Sequence, residues 1–127
     1  MRRPEKLAES LREEVTEIVG YELEDPRLLG VTVTDVRVSE NLRDAKVFVV
    51  VEGAKDETEI KDALKALQHA ATFVRQQVAM SMSLRHPPIL NFVRDTAEEN
   101  AARIGQLLGE INVDEEPEET ENVADEN

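Results

Sequence analysis

The chain has no cysteine and no tryptophan, one tyrosine and three phenylalanines. Without thiols it forms neither disulfides nor thiolate metal sites, and a reducing cytoplasm is the compartment this composition fits. Its two histidines, His69 and His86, show no HxxxH or HExxH spacing, which argues against a metal centre. No apolar run approaches the ~20 residues needed to cross a bilayer. Met1-Arg2-Arg3-Pro4 is basic, but an amphipathic charged stretch follows instead of an apolar one, so no signal peptide is expected. GxSxG, Walker A and GxGxxG strings are missing. Glu13-Glu14 and Glu98-Glu99 fall on helical patterns, where adjacent side chains do not face one another, and make poor acid–base pairs. The expectation is no enzyme, no cofactor and no small-molecule substrate.

Charge is abundant and uneven. The 127 residues carry 28 acids against 15 Lys and Arg, a formal net charge of -13. Eight acids, from Asp114 to Glu126, fall in residues 113–127, which hold no Lys or Arg. The body keeps 20 acids against 15 bases. The tail has too little apolar content to offset the entropy of ordering. The prediction is one globular body over residues 1–112 and a disordered acidic tail over residues 113–127.

Apolar periodicity defines the elements. Leu7, Leu11, Val15, Ile18, Val19 and Leu23 recur at helical spacing, with Gly20 inside the pattern and Asp25-Pro26 ending it. Val31 to Thr34 and Val36 to Val38 alternate with opposite phase, so a bulge is expected at Asp35. Ser39 to Arg43 is turn-like, and Ala45 to Val51 completes a hairpin. Asp56 is a helix cap, and Ile60, Leu64, Leu67, Ala71, Val74 and Val78 carry a helix from Glu57 to about Met82. At about 1.5 Å per residue that helix is about 39 Å long. It is either straight or bent near Ala70-Ala71-Thr72. Pro87-Pro88 forbids helix, Ile89 to Val93 is a third strand, and a last helix runs from Ala97 to Leu108, burying Ala101, Ile104 and Leu108 and stopping at Gly109. The helical crossover lets strands two and three run parallel. The fold class is α+β, with a three-stranded mixed sheet covered on one face by helices.

Residues 63–94 contain no acid, yet hold Lys65, His69, Arg75, Arg85, His86 and Arg94. The stretch is either a run of core residues or the one local field that draws phosphate.

Asp25-Pro26-Arg27-Leu28, Val31-Thr32-Val33-Thr34, Val36, Val38, Ala45-Lys46-Val47, Phe73-Val74-Arg75, Leu84-Arg85, Pro88, Phe92 and Asp95 together resemble the ribosome-binding factor A family. The likeness runs from about Arg2 to Leu108. It implies a type II KH-like domain and a monomeric, cytoplasmic assembly factor. Such a factor binds the free small (30S) ribosomal subunit and assists its late maturation and 16S rRNA processing. KH domains clamp RNA backbone with a GxxG loop; the family replaces it with a kinked helix and an Ala-x-Gly turn. Ala70-Ala71-Thr72 stands there in this chain, with Thr72 at the glycine position. The implied RNA-binding residues are Lys65, Ala70, Ala71, Thr72, Arg75, Arg85 and His86, with Arg2 and Arg3 as a basic arm. Arg27, Arg43 and Lys46 are further cations, and Arg94 is read as pairing with a nearby acid. The competing reading is a non-RNA interaction module of α+β fold, whose acidic surface meets a basic partner such as a ribosomal protein.

Overall fold

The computed structural model describes residues 1–114, which form α1 (Arg3–Glu17), β1 (Val31–Val38), β2 (Asp44–Val51), α2 (Glu57–Ser81), β3 (Ile89–Arg94) and α3 (Ala97–Asp114). Met1–Asp95 is one compact unit, and α3 belongs to a second that begins at Thr96.

In the first unit α1 buries Leu11 and Val15. The helical pattern continues to Leu23, as expected, but the turn Ile18–Glu22 widens to a π-helix, with the Leu23 amide 3.2 Å from the Ile18 carbonyl. Gly20 and Tyr21 lie in this turn and are exposed. Ile18 and Val19 stay buried.

Asp25 then caps a short 3₁₀ turn over Pro26–Leu28. Its Oδ1 accepts from the Arg27 amide at 2.9 Å, and its Oδ2 from Arg27 Nη2 at 2.7 Å. The Arg27 side chain and then its amide hold the Asp25 carboxyl down at about 2. A lowered native pKa stabilises the fold above the ordinary carboxylate value of about 4, and the contribution is lost as pH falls toward 2. An NMR titration of Asp25 is expected to show a midpoint near 2 that Arg27→Ala raises toward, but not fully to, the ordinary value of about 4, because alanine keeps the backbone amide.

The sheet order is β1-β2-β3. The hairpin pair is antiparallel and the crossover pair parallel, as the element order predicts. Gly30 meets the residue after β2 so closely that an added Cβ would lie 2.1 Å from the Glu52 carbonyl oxygen. The bulge is present one residue earlier than expected. Val33 pairs with Val49 and Asp35 with Phe48, leaving Thr34 without a ladder partner. The hydroxyl of Thr34 meets Asp95 Oδ2 at 2.6 Å, and the Asp95 amide donates to the Val49 carbonyl at 2.7 Å. Thr34→Val keeps the shape and removes the donor to a carboxylate. It is expected to cost about 1–2 kcal/mol in chemical denaturation.

One face of α2 buries Ala63, Ala66, Leu67, Val74 and Val78. All but Ala63 join Val33, Val36, Ala45, Val47, Val49, Leu90 and Phe92 in one core. The Gln68 side chain accepts from the Phe92 amide at 2.9 Å, covering part of the β3 edge. The helix is continuous over its 25 residues, so the break left open at Ala70-Ala71-Thr72 is absent. Ala70 and Ala71 pack on the core while Thr72 is exposed. Threonine lacks the backbone freedom of glycine, and two small alanines let helix and sheet approach closely without an interruption of the helix.

Alone, α3 runs through Asp114, past the stop expected at Gly109. A glycine inside a helix costs about 1 kcal/mol relative to alanine and does not by itself end one. Ala101 and Ile104 are exposed and Leu108 is half-buried, contrary to the expected buried stripe. The periodic apolar series is present, but periodicity cannot say whether a helix face is covered. Of the predicted disordered tail, Val113 and Asp114 continue α3, and residues 115–127 lie outside the described residues.

Candidate nucleic-acid interface

No polar or charged side chain is buried among the described residues, and no group of three His, Asp or Glu could hold a metal. No described helix is long and apolar enough to cross a membrane.

At one end of the first unit an open groove of about 880 Å³ gathers three separate segments. The start of α1 supplies Arg3, Lys6 and Leu7; the β1–β2 turn supplies Asn41, Leu42 and Arg43. The connection from α2 to β3 supplies Leu84, His86, Pro87 and Ile89, and α2 itself supplies Arg75. No carboxylate lines it. Leu7, Leu42 and Leu84 are half-buried, while Arg3, Lys6, Arg43 and His86 are exposed.

Local chemistry fixes each wall. In the turn, Ser39 Oγ donates to Asn41 Oδ1 at 2.7 Å, and that oxygen accepts from the Arg43 amide at 3.0 Å. Leu42 sits at φ 63, a left-handed conformation costing about 1 kcal/mol for a side-chain-bearing residue. The Ile89 amide donates to the Arg43 carbonyl at 2.8 Å, tying turn to strand. On the other wall α2 ends with Ser83 at φ 54, and the Leu84 amide returns to the Ala79 carbonyl at 2.9 Å. This αL stop turns the chain sharply toward Pro87-Pro88.

The predicted residues divide. Arg3, Arg75 and His86 line the groove; Arg85 is exposed in the loop beside it but outside its lining. Lys65 and Thr72 lie on α2 with Ala70 and Ala71. None of these four reaches the groove. Arg2 donates to Glu40, whose hydrogen bond and charge hold the arginine above its ordinary pKa. Arg94 pairs with Glu57 at 2.7 Å, consistent with its expected pairing, although the acid is distant in sequence. Lys6 carries no sequence signal of its own, and Arg43 reads there only as a further cation. Both belong to the cluster because three distant segments meet, which no local spacing announces.

A three-stranded α+β sheet with a continuous crossover helix, whose connections gather cations into one groove with no carboxylate in its lining, defines a small KH-like domain. The chain belongs to the ribosome-binding factor A family, whose model matches residues 3–108. It is 44% identical over 119 residues to a ribosome-binding factor A of Desulfitobacterium hafniense, covering 94% of both chains. Over 109 residues it is 46% identical to that of Thermomicrobium roseum, covering 86% of this chain and 83% of the relative. The crystal structure of ribosome-binding factor A from Thermus thermophilus superposes with a TM-score of 0.65 at 29% identity, over 74% of this chain and 97% of the other. Thermus thermophilus coordinates fitted into an electron-microscopy map of a complex between that factor and 30S give a TM-score of 0.59 at 29% identity, over 70% and 91% of the two chains.

Proposed function

We propose that this chain binds the free small ribosomal subunit through 16S rRNA and assists late maturation and rRNA processing without catalysing a reaction itself. It acts as a monomer in the cytoplasm. The observation that carries this reading is the groove: a chain of net charge -13 keeps every carboxylate out of one concave surface lined by four Lys and Arg residues and a histidine. Phosphate is the ligand such a surface selects. The Thermus relative's complex with 30S supports the same partner here. In this reading Arg3, Lys6, Arg43 and His86 face RNA in the groove, Arg85 stands beside them, and Lys65 with Ala70, Ala71 and Thr72 offers a second strip along α2.

Sedimentation of the full chain with purified free small subunits, whole ribosomes and naked 16S rRNA tests this. The expected result is cosedimentation with free subunits and measurable binding to naked rRNA. Binding to subunits with none to naked rRNA would favour a module that recognises a basic ribosomal protein. In cells lacking the chain, precursor ends of 16S rRNA are expected to accumulate in free small subunits.

A further inference from the structure

Arg75 lines the groove, yet its hydrogen bonds run along the protein. Nε lies 3.1 Å from the carbonyl oxygens of both Pro87 and Pro88, and Nη2 lies 2.7 Å from that of Pro87. Two consecutive prolines offer no N–H, and the segment between Ser83 and Ile89 has no helix or strand of its own. Carbonyls in such a segment need a side-chain donor, and the planar guanidinium fork meets two at once. Pro88 is fully buried, so the loop is anchored immediately beyond the fork. On one side of the anchor stands His86. On the other, Ile89 donates to the carbonyl of Arg43, the cation on the opposite wall. A covalent and hydrogen-bonded path thus runs from Arg75 through Pro87-Pro88 and Ile89 to Arg43.

We infer that Arg75 is a positioning residue: it holds the loop carrying His86 and, through Ile89, the turn carrying Arg43, and leaves phosphate to Arg3, Lys6 and Arg43. This rests on the groove being the RNA-facing surface. Charge alone would make Arg75 a phosphate ligand, so the two roles need separating.

Salt dependence separates them, because each phosphate contact contributes about 0.7–0.9 to the slope of log affinity against log salt. Affinity of the full chain for purified free small subunits is measured across salt for wild type, Arg43→Ala, Arg75→Ala and Arg75→Lys. Positioning predicts that Arg43→Ala lowers the slope by about 0.8. Arg75→Ala should weaken binding about 5–10-fold through loss of a charge-assisted anchor, while changing the slope by less than half as much as Arg43→Ala. Arg75→Lys keeps the charge without the fork and should recover less than half of the lost affinity on a logarithmic scale. In the free protein, hydrogen exchange at the Ile89 amide should quicken in both Arg75 variants. A slope loss in Arg75→Ala equal to that of Arg43→Ala, full recovery with lysine, or unchanged affinity in Arg75→Ala overturns the inference while leaving the proposed function standing. Should alanine unfold the chain, the lysine variant decides alone: affinity about 2–3-fold or more below wild type at an unchanged salt slope supports positioning, and wild-type affinity overturns it. If wild type does not bind small subunits at all, the functional reading fails, and this inference with it.

Discussion

Replacing Lys6 and Arg43 together by alanine is expected to weaken binding to free small subunits about 100-fold, since a charge-assisted contact contributes roughly 1.5 kcal/mol or more and two are lost. The salt slope should fall by about 1.5 in the same variant. Both side chains are exposed, so their removal leaves no buried group unpaired. Surface substitutions of this kind change stability by at most about 0.5 kcal/mol, so an unchanged unfolding midpoint separates lost affinity from lost fold. The groove makes a prediction that composition does not. Lys55 and Lys61 are also exposed but do not line it. Lys55→Ala together with Lys61→Ala removes the same charge and is expected to change affinity less than about threefold, since distant surface charges are screened. Equal losses from the two double variants would show that net charge, and not the groove, governs binding.

The largest stability effect is expected at Leu67. Its side chain is fully buried in the face of α2 that packs on the sheet. Truncating such a leucine to alanine costs about 2–5 kcal/mol, through lost transfer energy and the cavity left behind. Domains of this size hold about 5–15 kcal/mol in total, so Leu67→Ala is expected to remove about a third of the stability and lower the melting midpoint by roughly 15 °C. Met80, on the same helix, is 68% exposed. Met80→Ala is expected to stay within about 0.5 kcal/mol of wild type. A calorimetric scan of the two variants checks the orientation of the whole helix. If Leu67→Ala cost less than Met80→Ala, the buried face of α2 would be misassigned.

Much of the fold was legible because its signals are local. The phase slip between Val33 and Val36 announced the bulge, though Thr34 and not Asp35 is the residue without a partner. Asp56 capped α2 as expected, its side chain accepting from the Glu59 amide at 3.0 Å. Two features escaped for physical reasons. A π turn at Ile18–Glu22 keeps helical apolar spacing on both sides and leaves no periodic trace. A glycine at position 109 reads as a stop, yet its cost inside a helix is small enough for the residues around it to carry the helix on.

The site was less legible than the fold. Of the acid-free span from residue 63 to 94, Arg75 and His86 lie in the groove, while Lys65 and Arg85 do not. Lys6 and Arg43 come from distant segments, and only the hairpin and crossover bring them together. The role of Arg75 depends on carbonyls, which every residue carries and no sequence motif distinguishes.

The central claim is that an acidic chain meets RNA phosphate through one cationic groove, and affinity for purified free small subunits against salt concentration measures it most directly. With three always-charged groove residues meeting phosphate, the slope is expected near −2 to −3, so affinity falls roughly 30-fold when salt rises fourfold. A flat response would contradict the account.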